Sequence, residues 1–292
     1  TIIDDLSTGS IHNLDNIIDS PLLKIVVGSV LNESLMEMLV RETDEIFHLA
    51  SSVGVKLIME NPVHTIENIF QGTSVVFKFA ARYRKKILLT STSEVYGKSQ
   101  DIPFQEDGDR VEGATTIHRW AYANAKALDE FLALAYYKTE RLPVVVVRLF
   151  NTVGPRQSAD YGMVIPKMIE AALRDNIIEV YGDGSQSRCF CHVNDVVDAL
   201  WLLMADKKSE GKVVNVGSNE EITIVELANK IRLKAPSTPE IIFVPYEKIY
   251  PNGGFEDMKR RVPSIERIKD LIDWKPTFSI DDIIESVFKS KL

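Results

Sequence analysis

Short runs of β-branched and aliphatic residues alternate along the chain with longer stretches in which apolar side chains recur every three or four positions. The short runs predict strands at 24–27, 45–50, 86–91, 143–150, 179–181, 213–216 and 241–244. The longer stretches predict helices at 33–41, 63–83, 120–139, 164–174, 193–204, 223–233 and 279–288. Val144, Val145, Val146 and Val147 follow one another without interruption, which suits a strand buried on both faces. Strand and helix in regular alternation mark a parallel sheet covered by helices. The expected fold class is therefore α/β, a doubly wound, Rossmann-like parallel sheet.

After Asn151 the pattern shifts to shorter elements and turns, among them Gly154-Pro155 and Gly182-Asp183-Gly184. A boundary near residue 152 is expected, with a nucleotide-binding domain at 1–152 and a smaller α/β substrate domain at 153–292. Residues 192–217 again read as helix then strand, a pattern that fits a return to the first domain. Residues 1–5 read as a strand closing on Asp4 and Asp5. Such sheets normally begin earlier, with a strand, a Gly-rich turn and a helix, and no G-x-G-x-x-G occurs here. The expectation is that the sequence starts after that unit.

Composition narrows the function classes. At 292 residues and 45% hydrophobic content the chain can bury a sizeable core, so a disordered polymer is excluded. Its 42 acidic and 34 basic side chains leave a net charge of -8, and no long basic run offsets it, so nucleic acid is not an expected partner. No apolar run approaches a membrane span and no signal segment is evident, so a cytoplasmic location is expected. Cys189 and Cys191 are too few for a structural zinc site, and no metal is expected.

Tyr122 and Lys126 stand four residues apart on a strongly helical stretch, so both leave the same face. An ammonium beside a phenol favours the phenolate, which would make Tyr122 a general base near neutral pH. Taken alone, the pair also fits an ordinary amphipathic rim. The run Thr90-Ser91-Thr92-Ser93-Glu94 changes the balance, because hydroxyls at the carboxyl end of a parallel strand face the crevice where such sheets bind ligands.

Thr92-Ser93-Glu94-Val95-Tyr96-Gly97, then Tyr122-x-x-x-Lys126, then Arg148-Leu149-Phe150-Asn151-Thr152-Val153-Gly154-Pro155-Arg156 occur in that order. They are followed by Tyr181-Gly182-Asp183-Gly184-Ser185-Gln186-Ser187-Arg188 and His192-Val193-x-Asp195. Together these motifs resemble the extended short-chain dehydrogenase/reductase family, in particular its NAD-dependent nucleotide-sugar epimerases, dehydratases and decarboxylases. The resemblance implies NAD as cofactor, a UDP-sugar as substrate and a homodimer packed through the long helices.

It also implies roles. Tyr122 exchanges the proton of the sugar hydroxyl, Lys126 lowers its pKa and holds the nicotinamide ribose, and Thr92 hydrogen-bonds the reacting oxygen. Asp4, Asp5, Ser7, Thr8 and Gly9 match the adenosine-ribose segment, and Leu49, Ala50 and Ser51 match the strand end that lines the cofactor. Asn151, Val164, Tyr181, Gln186, Arg188 and Arg261 match contacts to the nucleotide sugar. Ser29 and Ile69 depart from the family pattern, which usually has an acidic residue and an Asn there; Asn68 lies one place away. Without the Gly-rich turn, the residues given are expected to hold NAD weakly.

The shared chemistry oxidises the sugar at C4 to a ketone. The motifs leave open whether that ketone is then reduced on its other face, loses a carboxylate as carbon dioxide, or undergoes 4,6-dehydration. The expectation places UDP-hexose 4-epimerase first and UDP-glucuronate decarboxylase second. Glu94, two residues beyond Thr92, is expected to point toward the sugar by the two-residue strand period and to matter chiefly in the decarboxylase. The contrasting expectation is a non-catalytic nucleotide-sugar-binding relative.

Overall fold

The computed structural model describes residues 1–52, 61–159, 163–249 and 258–292. A first pair of parallel strands, β1 (Ile2–Asp4) and β2 (Ile25–Val27), precedes helix α1 (Glu33–Arg41). Then come β3 (Glu45–His48), α2 (Pro62–Tyr83), β4 (Lys86–Thr92), α3 (Ala121–Glu140) and β5 (Val144–Leu149). The central sheet is parallel, in the order β10-β5-β4-β3, where β10 (Lys212–Val216) comes from much later in the chain.

Both faces of this sheet are covered, as the unbroken valines demand. Ile87, Leu89, Val144 and Val146 pack with Val76, Phe77 and Ala80 of α2 and Ala133 of α3. Leu88, Val145 and Val147 face the other way, against Val196, Leu200 and Leu203 of α5 (Val193–Ala205). This is the strand's two-residue period expressed as two cores. α1 packs on α2, with Lys78 pairing Glu33 at 2.7 Å and Arg82 pairing Glu37 at 2.5 Å.

One polar rung crosses the apolar sheet. Ser91 of β4, Arg148 of β5 and Asn215 of β10 stand side by side in register. Arg148 donates to Glu130 of α3 through Nε (3.0 Å) and Nη2 (2.8 Å) and to the Glu106 carbonyl through Nη1 (3.0 Å). Ser91 also donates to Glu130. Asn215 accepts from the Tyr96 hydroxyl at 2.7 Å and donates to the Phe104 carbonyl at 2.9 Å. Every member of the rung is thereby hydrogen-bonded although buried.

Beyond β5 lie β6 (Thr152–Val153), α4 (Val164–Arg174), β7 (Ile177–Tyr181), β8 (Ser187–Cys189) and β9 (Cys191–His192). After α5 and β10 come β11 (Glu221–Thr223), α6 (Ile224–Lys234), β12 (Glu240–Val244), α7 (Tyr246–Ile249), α8 (Glu266–Ile272) and α9 (Ile280–Lys291). β7 pairs with β12 in parallel, and α4, α6 and α9 bury Ile169, Leu227 and Ile284 in a third core. Capping boxes at Thr223/Glu226 and Ser279/Asp282 start α6 and α9.

Segments from late in the chain belong to the sheet core: Cys191, Val196, Val214 and Val216 pack there, and so do Ile268 of α8 and Trp274. Asp195 fastens the strap that follows α8. Its carboxylate accepts from Thr277 Oγ1 (2.7 Å), Thr277 N (3.0 Å) and Phe278 N (3.1 Å). The predicted strand at 45–50 stops at His48, which leaves Leu49, Ala50 and Ser51 outside the ladder. α8 and the two- and three-residue strands β6, β8, β9 and β11 were not foreseen, being too short to show a period. No helix among the described residues is long and apolar enough to cross a membrane.

Candidate active site

β4 ends on Thr92, and the chain turns there into a single 3-10 turn, Ser93–Tyr96. Thr92 Oγ1 caps that turn by accepting from Glu94 N at 3.2 Å. Glu94 is therefore not on an extended segment, and the strand period does not set its direction. The turn carries it to two guanidiniums: Arg119 Nη2 lies 2.5 Å from one carboxylate oxygen, and Arg261 Nη2 donates to the other. All three side chains are buried. Burial by itself would raise the Glu94 pKa; the positive charges of Arg261 and Arg119 outweigh it and hold the group at about 2. Among the described residues, Arg119 Nε and Nη1 meet no hydrogen-bond acceptor.

Tyr122 sits in the first turn of α3, 8% exposed, packed against Ile69 and Ala125. The Ile69 departure is thus filled by apolar contact with the tyrosine's helix, while Asn68 bonds His64 at 2.8 Å on the exposed side. The expected lowering of the Tyr122 pKa is not what the protein shows. Burial pushes the phenol up, the Glu94 charge adds to that, hydrogen bonding with Thr92 pulls it back, and Asp129 raises it again. Burial is the chief reason, and the Lys126 ammonium expected to offset it is itself paired with Asp129 at 3.2 Å in a buried contact.

Asn151, at the end of β5, bridges two elements. Its Nδ2 donates to the Cys189 carbonyl at 2.8 Å, and its Oδ1 accepts from Arg261 Nη1 at 3.3 Å. Thr92, Glu94, Tyr122, Asn151 and Arg261 thus form one group. Arg261, matched in the sequence to a nucleotide-sugar contact, bonds Glu94 and Asn151 here. Arg188, buried on β8, donates to the Ser187 carbonyl at 2.7 Å.

Tyr181 and Gln186 form a separate group. Gln186 Nε2 donates to the Tyr181 carbonyl at 3.0 Å and lies 3.2 Å from the Tyr246 hydroxyl, and Lys167 reaches the Tyr181 hydroxyl. Beside them opens a cleft of about 540 Å³ lined by Gly182, Phe243, Pro245 and Tyr246. Val164 is the first residue of α4.

At the carboxyl edge of the first strands, Asp4 Oδ1 accepts from Leu6 N at 2.7 Å and Asp5 Oδ1 from Ser7 N at 3.0 Å. Bonds from the Ser7 side chain and backbone hold the Asp5 carboxyl below its usual range. Ser7, Thr8 and Gly9 are exposed. Leu49 is 54% exposed, Ala50 is exposed too, and Ser51 Oγ is buried with no hydrogen-bond partner among the described residues. Two contributors escaped the sequence reading: Arg119, which pairs with Glu94, and Asp129, which pairs with Lys126. The described residues hold no group of three or more His, Cys, Asp or Glu placed to bind a metal.

Comparison with known proteins supplies the frame for this geometry. The chain is 41% identical over 280 residues to a UDP-N-acetyl-alpha-D-glucosaminuronate decarboxylase of Bacillus cytotoxicus, covering 96% of this chain and 85% of that protein. It is 34% identical to UDP-glucuronic acid decarboxylase 1 of Danio rerio, covering 97% of this chain but only 64% of the zebrafish protein's length. Among solved structures, a dTDP-glucose 4,6-dehydratase of Bacillus anthracis in complex with NAD superposes with a TM-score of 0.84 at 27% identity, over 99% of this chain and 86% of that one. The ranking of epimerase ahead of decarboxylase is corrected by these relatives, which favour the decarboxylase. The model of the GDP-mannose 4,6 dehydratase family matches residues 1–287, and the chain belongs to that family of extended short-chain dehydrogenase/reductase enzymes.

Proposed function

We propose that the protein is an NAD-dependent decarboxylase of UDP-hexuronates, the class that includes UDP-glucuronate and UDP-N-acetylglucosaminuronate. The observation that carries this reading is the convergence of Arg119 and Arg261 on Glu94 within the Tyr122 group. Two guanidiniums around one buried carboxylate favour a further carboxylate, and a neutral hexose has none to offer.

NAD suits the residues present. Ser51 Oγ offers an unused polar atom at the end of β3, exposed Leu49 and Ala50 offer apolar surface beside it, and Asp4 and Asp5 close β1 with the carboxylates that ribose hydroxyls seek. When bound, NAD supplies the hydride acceptor and later returns the hydride. Tyr122 takes the proton of the sugar 4-hydroxyl, with Thr92 hydrogen-bonding the same oxygen. The resulting ketone stands β to the substrate carboxylate. The bond between C5 and that carboxylate then breaks, carbon dioxide leaves, and the electron pair passes into an enolate that is protonated at C5. Arg261 orients the departing carboxylate, and Glu94 keeps the local charge balanced. Arg188 binds the diphosphate, while Tyr181 and Gln186 border the base and its ribose.

A second copy of the chain is the proposed partner. Val63 and Ile66 of α2 and Leu128 and Phe131 of α3 are exposed apolar residues on two helices that pack together, a surface suited to pairing with itself.

The test is incubation with NAD and, separately, UDP-glucuronate, UDP-N-acetylglucosaminuronate and UDP-glucose, followed by product identification. Carbon dioxide and a UDP-pentose from at least one uronate are expected. Turnover of UDP-glucose to its 4-epimer with no carbon dioxide from either uronate would overturn the assignment.

A further inference from the structure

Beneath the Tyr122 group runs a chain of four buried polar side chains, Lys126, Asp129, Thr73 and His48, to which the steps above assign no part. Asp129 Oδ2 accepts from Lys126 Nζ at 3.2 Å and from Thr73 Oγ1 at 2.9 Å; His48 Nε2 stands 3.2 Å from the same hydroxyl. All four residues are at most 4% exposed. The hydrogen positions follow from the inventory of donors. Thr73 has one hydroxyl hydrogen and gives it to Asp129, so it must accept from His48, which fixes the neutral His48 ring with its hydrogen on Nε2. Burial, with the Lys126 charge behind it, keeps His48 neutral, its pKa falling to about 3. Asp129 Oδ1 has no hydrogen-bond partner among the described residues, so a single oxygen holds both donors.

We propose that Asp129 is a positioning residue for the Tyr122-Lys126 pair, fixed by Thr73 and His48 so that it holds the Lys126 ammonium and limits how much positive charge reaches the phenol. This inference rests on Tyr122 acting as the proton acceptor. Lys126 lies one turn beyond Tyr122 on α3 and Asp129 three residues further, so the carboxylate attracts the cation from behind.

The surroundings of each group give the sign of the effect. Tyr122 faces Thr92 from β4, Glu94 from the following turn, Arg261 from the C-terminal region and Asp129 from its own helix. Asp129 faces Lys126 and Glu130 on α3 and Thr73 on α2. Neutralising Asp129 removes an anion that opposes phenolate formation, so the phenol should ionise more readily.

Two measurements on the full chain test this. In Asp129→Asn the acid limb of the kcat profile should move to lower pH by about half to one unit, with KM for the sugar nucleotide within about twofold. A merely structural role would lower the rate without moving the limb. Independently of turnover, 15N-lysine NMR should show an exchange-protected Lys126 ammonium signal in the wild type, assigned by its loss in Lys126→Met. That signal should be lost in Asp129→Asn and weakened in Thr73→Val. An unmoved acid limb, or an ammonium signal as protected in Asp129→Asn as in the wild type, overturns the proposal. Failure of the decarboxylase reading shows separately, as absence of carbon dioxide from wild-type protein, and leaves the NMR result decisive for Asp129.

Discussion

Arg261 closes an ion pair on Glu94 across 167 positions of sequence, and Arg119 completes the clamp from the turn before α3. Glu94→Gln keeps size and hydrogen bonding while leaving two buried guanidiniums without their anion. On a UDP-hexuronate, kcat should fall by about a hundredfold or more, by analogy with other positioned charged groups. Because Arg261 and Arg119 hold the Glu94 carboxyl well below the usual carboxylate range, the acid limb of the wild-type rate profile is expected to come from another group. A Gln variant within threefold of wild type would remove Glu94 from the reaction.

Tyr122→Phe retains the ring that packs on Ile69 and Ala125 but loses the proton acceptor. Turnover should drop by roughly 10² to 10⁴-fold, while UDP binding measured by calorimetry stays within about twofold of wild type. Weakened UDP binding would show that the hydroxyl supports the fold of the site rather than the chemistry.

His48 makes stability depend on pH. Its folded pKa of about 3 lies well below the ordinary histidine value of 6.5, so between these two the unfolded chain binds a proton that the folded chain refuses. Stability is thus expected to decline as pH falls from about 6.5, by roughly 2 to 3 kcal/mol at pH 4.5. His48→Gln keeps an N–H for Thr73 and cannot titrate. Urea unfolding at pH 7 and pH 4.5 should show a smaller acid loss in the variant, and equal losses would refute the assignment.

Gly97 ends the turn that carries Glu94, with φ at 61°, and an added Cβ would stand 2.1 Å from the Val111 carbonyl oxygen. That backbone cannot give way without opening the Gly97-Val111 bridge. Gly97→Ala should cost about 2 to 4 kcal/mol in urea unfolding and reduce activity together with stability. A variant of wild-type stability would mean that the turn has another low-energy form.

The sheet and its flanking helices were legible because burial on two faces leaves a plain signature: β5 opens with four successive valines, and α1 and α4 fall on the predicted 33–41 and 164–174. Thr92, Tyr122 and Lys126 were legible as a motif. The arrangement around them was not. The direction of Glu94 depends on a 3-10 turn four residues long, and Arg261 reaches it through tertiary packing that no local spacing records. The Tyr122 pKa runs opposite to the expectation because burial and the Glu94 charge raise it, with Asp129 adding to them, and sequence spacing shows neither the burial nor that the Lys126 ammonium pairs with Asp129.

Four adjacent valines give β5 no reason to prefer one alignment with β4 over the next, since a shift by one residue would still set aliphatic against aliphatic. The Ser91-Arg148-Asn215 rung works as an index mark on this otherwise unlabelled ladder. Slipping β5 by one position would turn Arg148 to the opposite face and strand its charge among α5 side chains, away from Glu130 and the Glu106 carbonyl. Thr92 stands opposite Leu149, one step past the mark, and Asn151 follows two residues later. The alignment of the reacting groups is therefore written into a salt-bridged seam in the sheet interior, and weakening that seam would misplace Thr92 and Asn151 together without altering either one.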